Sequence, residues 1–186
     1  MGDPTAPIAV LLIHGFGANT NHWRFNQPVL AELVPTYAID LLGFGRSDQP
    51  RARLKQEPPD ATAVHYGFDL WGQQVADFCR EVIDKPVLLV GNSIGGVVAL
   101  RAAQLLGPDQ CKRVVLIDCA QRLMDDKQLA TQPAWMGWIR PLLKTMVSQR
   151  WLSTARFRNA ARPGVIRSVL KQAYPSGENI DDELIE

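Results

Sequence analysis

The chain alternates between short, unbroken apolar runs and longer stretches with apolar residues at helical spacing. The first run, Ile8-Ala9-Val10-Leu11-Leu12-Ile13, ends in His14-Gly15. Such runs suit strands buried on both faces of a parallel sheet. Residues 21–33 then read as a helix, with Asn21 as N-cap and Trp23, Val29, Leu30 and Leu33 as its apolar positions. Pro28 lies inside it and predicts a bend or a later start. Residues 36–40 form a second short strand, closed by Gly43-Phe44-Gly45. Residues 46–66 are polar, carry Pro50, Pro58 and Pro59, and read as a long loop. Leu70, Trp71, Val75, Phe78 and Val82 predict a helix over 68–82, which Asp84-Lys85-Pro86 breaks. Val87-Leu88-Leu89-Val90 is the third buried strand, residues 95–106 a helix of small residues, and Val114-Val115-Leu116-Ile117 the fourth strand.

Strand–helix alternation over residues 8–118 predicts an α/β fold, a parallel sheet with helices on both faces and right-handed crossovers. The pattern changes after Ala120, where no further strand is evident. Residues 135–147, 151–158 and 163–173 read as helices rich in Trp135, Trp138, Leu142, Trp151 and Leu170. The expected organisation is a core over 1–121 and the start of a helical lid over 122–186.

Composition narrows the function classes. Apolar residues make up 46% of the 186, enough for a real core. Twenty basic and 19 acidic residues leave a net charge of +1, which offers no electrostatic case for nucleic acid or an anionic membrane. The mildly basic stretch over 140–167 reads as a solvated helix face. No apolar run approaches the ~20 residues that span a bilayer, and the first residues lack a signal-peptide pattern. Three cysteines, Cys79, Cys111 and Cys119, have no metal-type spacing and suit reduced thiols in a cytoplasmic setting. Cys119 reads as a small apolar residue beside a buried strand. With no dinucleotide fingerprint either, no cofactor and no metal is expected.

The candidate chemistry sits in Gly91-Asn92-Ser93-Ile94-Gly95-Gly96, directly after a strand and before a helix. A tight strand-to-helix turn forces the serine into a strained backbone region, and neighbours without Cβ relieve the crowding. The Ser93 hydroxyl then stands above the carboxyl end of the sheet as a nucleophile. Acyl transfer builds negative charge on the carbonyl oxygen, and fixed N–H donors stabilise it. The backbone N–H of Ile94 is one such donor. The N–H of Phe16, in His14-Gly15-Phe16-Gly17, is the second. The His14 side chain itself reads as a hydrogen-bonding group at a strand end, because the expected base lies on a different loop.

Leu12-Ile13-His14-Gly15-Phe16-Gly17, Asp40-Leu41-Leu42-Gly43-Phe44-Gly45-Arg46-Ser47-Asp48 and Gly91-Asn92-Ser93-Ile94-Gly95-Gly96 together resemble the α/β-hydrolase superfamily in order and spacing, over about residues 8–120. Asn19-Thr20-Asn21-His22-Trp23-Arg24, Leu70-Trp71-Gly72 and Asn92-Ser93-Ile94-Gly95-Gly96 are similar to plant and cyanobacterial pheophytinase-like hydrolases. The resemblance implies a three-layer core, Ser93 as nucleophile, Phe16 and Ile94 as oxyanion-hole donors, and an acid and a base histidine on later strands. Against that pattern the chain is expected to start near the family's third strand and to stop inside the lid, before the histidine. His22 and His65 read as structural or solvated. Asp118, at the end of the fourth strand, has two readings: a residue capping the turn, or the acid that some relatives place there.

The expected function is a serine esterase acting on a small-molecule carboxylic ester with an apolar part, a phytol ester if the pheophytinase likeness holds. A serine at the elbow argues against epoxide hydrolases and haloalkane dehalogenases of this fold, which use aspartate. The alternatives are a catalytically inactive truncated hydrolase or binding module, and thioesterase or peroxidase-like chemistry at the same serine. Uncovered sheet edges and lid surface predict self-association.

Overall fold

The computed structural model describes residues 2–53, 57–58 and 60–119. The lid helices expected after residue 120 lie outside the described residues. Four strands form one parallel sheet: β1 (Ala9–Ile13), β2 (Thr36–Ile39), β3 (Val87–Asn92) and β4 (Cys111–Ile117), in the order β2-β1-β3-β4. The register runs Val10–Thr36 to Ile13–Ile39 between β1 and β2, and Ala9–Val87 to Ile13–Gly91 between β1 and β3. All five residues of β1 are buried, as expected of a central parallel strand.

Right-handed crossovers place connections that step in opposite directions across a sheet on opposite faces. The step from β1 to β2 goes one way. The steps from β2 to β3 and from β3 to β4 go the other. The hydrophobic clusters divide accordingly. Leu11, Ile13, Leu89, Val75 and Val98 gather on the face covered by α2 (Phe68–Phe78) and α3 (Ile94–Gln110). Val10, Leu12 and Val90 gather with Trp23 and Leu30 on the other face, under a 3₁₀ turn (Thr20–Trp23) and α1 (Asn26–Ala31). The two periodicities, two along each strand and 3.6 along each helix, thus produce three layers.

Several boundaries moved. The single helix expected over 21–33 is two pieces, and the cap is Asn19, whose side chain accepts from the Asn21 N–H at 2.8 Å. Pro28 falls in the first turn of α1, where a missing N–H costs nothing, so the helix starts late instead of bending. The helix over 68–82 loosens into a π-helical turn at Cys79–Ile83, closed by Asp84 at φ 49°. The 95–106 helix breaks at Gly107, φ 73°, ahead of Pro108. The strand expected over 114–117 begins earlier, at Cys111. It is not fully buried: Val115, Leu116 and Ile117 are 42%, 39% and 42% exposed. Among the described residues β4 pairs with β3 alone.

Candidate active site

Between β3 and α3 the chain reverses direction at Ser93, with φ 53° and ψ −121°. An L-residue avoids this region, and a side chain is held there only when its surroundings over-determine it. They do so from three sides. The Ser93 N–H donates to the Ile117 carbonyl of β4 at 2.9 Å, and the Ser93 carbonyl accepts from the Gly96 N–H at 3.0 Å. Gly91 and Gly95 are packed backbone to backbone, so a Cβ on Gly91 would run into the Gly95 carbonyl. A Cβ on Gly95 would lie 2.5 Å from the carbonyl oxygens of both Ile13 and His14. The first turn of α3 is therefore pressed against the end of β1.

The loop after β1 lies against this elbow. A Cβ on Gly15 would sit 3.2 Å from the Ser93 Cβ. The Gly15 carbonyl accepts twice, from His14 Nδ1 at 2.7 Å and from the Ala18 N–H at 3.3 Å. A trans peptide points its N–H opposite to its carbonyl, so these bonds aim the Phe16 N–H the other way. Among the described residues neither the Phe16 N–H nor the Ile94 N–H donates to a backbone acceptor. The Ile94 N–H opens α3, where the first donors have no partner within the helix and the dipole favours negative charge.

His14 is fully buried. Its Nε2 accepts the Leu41 N–H at 3.0 Å, so Nδ1 carries the proton given to Gly15. Both ring nitrogens are committed to backbone. Burial holds its pKa below the ordinary imidazole value, outweighing the Gly15 bond and Asp40, which act the other way. A His with a depressed native pKa favours folding above the unfolded-state value and loses that contribution as pH falls through the native one. Thermal stability is therefore expected to drop as pH is lowered below about 6.5. In NMR the His14 ring should titrate at lower pH than a free imidazole. A midpoint at or above the free value would remove this account.

The loop after β2 supports the same region. Asp40 accepts the Thr20 N–H at 2.6 Å and the Arg46 N–H at 2.9 Å, and its carbonyl accepts from Ser47 Oγ and Gln74 Nε2. Phe44 is thereby held with its ring edge against His14 (5.5 Å) and Phe16 (5.6 Å). The Phe16 ring is 68% exposed. The other histidines have different partners: His22 Nε2 meets Asn92 Nδ2 at 3.3 Å, and His65 is exposed on the loop before α2. Asp118 follows the Ile117 carbonyl that holds Ser93, at φ 43° and exposed to solvent. Ser93, Ile94, Phe16 and Asp118 thus all lie just beyond the carboxyl ends of the strands that precede them. Sequence reasoning left Asp40 and Gln74 without individual roles. The available signal was a glutamine among the apolar positions of α2.

A serine in this strand–turn–helix geometry, faced by a glycine loop, is matched by a family model described as alpha/beta hydrolase over residues 10–181. The chain belongs to the alpha/beta hydrolase family. Among curated relatives of this α/β hydrolase, 1-acylglycerol-3-phosphate O-acyltransferase ABHD5 of Sus scrofa is 34% identical over 111 residues, 60% of this chain and 29% of that protein. The (lyso)-N-acylphosphatidylethanolamine lipase of Bos taurus is 28% identical, over 76% of this chain and 42% of its own length. The chloroplastic pheophytinase of Arabidopsis thaliana is 33% identical, over 59% of this chain and 26% of its own. The α/β hydrolase chain thus spans less than half the length of these curated relatives. An α/β-hydrolase fold protein from Burkholderia ambifaria superposes with a TM-score of 0.59 at 16% identity, over 100% of this chain and 57% of that one, a likeness of fold.

Proposed function

We propose that this chain is the nucleophile-bearing part of a serine hydrolase that cleaves a carboxylic ester with an apolar moiety. Ser93 attacks the ester carbonyl, and the N–H groups of Phe16 and Ile94 hold the resulting oxyanion. The observation that carries this reading is Ser93 at positive φ between β3 and α3, beside two uncommitted N–H groups. Relatives named as a lipase, an acyltransferase and pheophytinase support ester or acyl chemistry, and pheophytinase supports a phytol-type ester as one candidate. In this reading residues 1–121 form the core and 122–186 belong to the lid, whose apolar residues suit a substrate with an apolar part.

Asp118 is the candidate acid, placed one residue beyond the carbonyl that holds the nucleophile. The base is none of the three histidines. His14 is committed to backbone on both nitrogens, His22 accepts from Asn92, and His65 is exposed with no partner that would orient it toward Ser93 among the described residues. That same observation favours the second reading, a non-catalytic binding module built on the same fold. A fluorophosphonate probe separates the two. Labelling of Ser93, together with turnover of a p-nitrophenyl ester, is expected of the enzyme. A folded chain that takes no label would establish the module instead.

Three free cysteines support a reducing, cytoplasmic setting; the Cys79 thiol is pushed up to about 12 by burial and is unreactive. Among the described residues no helix is long and apolar enough to cross a membrane. Self-association belongs to the same reading, since β4 presents exposed Val115 and Ile117. Light scattering behind size exclusion is expected to give a mass above the 20.7 kDa monomer. A monodisperse monomer would count against it.

A further inference from the structure

The oxyanion site proposed above draws its two donors from different segments. Phe16 belongs to the loop after β1, and Ile94 to the elbow after β3. The strands carrying them are neighbours, but their backbone ladder ends at the pair Ile13–Gly91. Beyond that pair the spacing of the two donors rests on the close packing of Gly95 and Gly15 and on side-chain contacts.

A side-chain hydrogen bond spans this gap. Asn92, the last residue of β3, gives its Nδ2 proton to Nε2 of His22 at 3.3 Å. Both residues are half-buried. Asn92 sits directly before the nucleophile. His22 lies in the 3₁₀ turn that follows the oxyanion loop, and that turn is anchored independently of the bond. Asn19 caps it through the Asn21 N–H, and Asp40 accepts from the Thr20 N–H. The neighbouring Trp23 is 4% exposed in the core against Val10, Leu12 and Val90, and the His22 ring stands edge-on to it at 5.0 Å. Gly15 passes beneath, where a Cβ would come within 3.4 Å of Asn92 Nδ2 and 3.2 Å of the Ser93 Cβ. His22, Asn92, Gly15 and Ser93 are thus one contact cluster, with a rigid turn on one side and the elbow on the other.

We propose that His22 is a positioning residue: through Asn92 it holds the oxyanion loop and the nucleophile elbow in register, and so sets the distance between the Phe16 and Ile94 donors. The inference rests on the hydrolase reading of Ser93. Donors that act on a developing charge are sensitive to displacements of about 1 Å, which cost up to roughly 100-fold in rate. The cost falls on the chemical step, because the ground-state carbonyl needs the donors less than the oxyanion does.

The test is a double-mutant cycle read in p-nitrophenyl ester kinetics, with melting temperature as the control for folding. His22→Ala is expected to lower kcat by about 10- to 100-fold with KM within about threefold of wild type. Asn92→Ala should do the same. The double variant should be no worse than either single, because both break one link. His22→Gln, whose amide oxygen can accept the Asn92 proton, should recover most of the lost kcat, and it serves if the alanine variant folds poorly. Additive losses, a pure KM effect or an unchanged kcat in an active enzyme would overturn the positioning role alone. A wild type that neither turns over ester nor labels at Ser93 would instead overturn the hydrolase reading.

Discussion

Ser93→Ala is expected to abolish fluorophosphonate labelling and to reduce ester turnover to what the oxyanion donors alone support, while leaving the fold intact. No neighbouring group can take the place of the serine as nucleophile. Some rate above the uncatalysed reaction should persist, roughly 10³-fold, because the Phe16 and Ile94 N–H groups do not depend on the side chain at 93. The strain at this position provides a second measurement on the same residue. Ser93 holds φ 53° and ψ −121°, a region in which glycine alone is at ease. Ser93→Gly should therefore abolish turnover and raise stability, by about 1 kcal/mol once the added chain entropy of glycine is subtracted. Lost activity with raised melting temperature would mark a residue kept for chemistry at the expense of the fold. A variant that keeps its activity would end the assignment of Ser93 as nucleophile.

Gly95→Ala is expected to unfold the core or to destabilise it by more than about 4 kcal/mol, a large part of the 5–15 kcal/mol that folded domains typically possess. The new methyl would lie 2.5 Å from two backbone oxygens, those of Ile13 and His14. Neither can withdraw. Ile13 is paired on both sides, to Ile39 and Gly91, and His14 is buried with its ring bonded to Leu41 and Gly15. The remaining escape is a shift of α3, which would carry Ile94 and Ser93 with it. Gly67→Ala is the matched control. Gly67 has open space around its Cβ position and an extended φ of 176°, which any residue adopts. A urea titration should show the Gly67 variant within about 1 kcal/mol of wild type. Equal midpoints for the two variants would show that the contact at Gly95 is not tight.

Much of this architecture was legible in the sequence for an elementary reason. A strand buried on both faces must be apolar throughout, so Ala9–Ile13 and Val87–Val90 announce themselves without any knowledge of their neighbours. The serine turn was legible too, since a reversal from strand to helix at this tightness needs residues without Cβ on either side of Ser93, and Gly91, Gly95 and Gly96 supply them. The helix end at Gly107 follows from the same local chemistry of glycine and proline.

What the sequence determined by itself is therefore local: which segments are strands or helices, their parallel arrangement, and the position of Ser93 on a strained bend. The tertiary structure decided which distant groups complete the site. Asp40 reads as one acid in a polar loop until it is seen holding the amides of Thr20 and Arg46. His14, His22 and His65 are indistinguishable as letters, and their partners separate them: backbone on both nitrogens for the first, Asn92 for the second, an exposed loop for the third. The exposure of β4 and the split of residues 21–33 at Pro28 were decided in the same way. Periodicity and turn chemistry act over a few residues, whereas hydrogen bonds and close contacts across 20 to 80 positions exist only after the sheet has brought those segments to one edge.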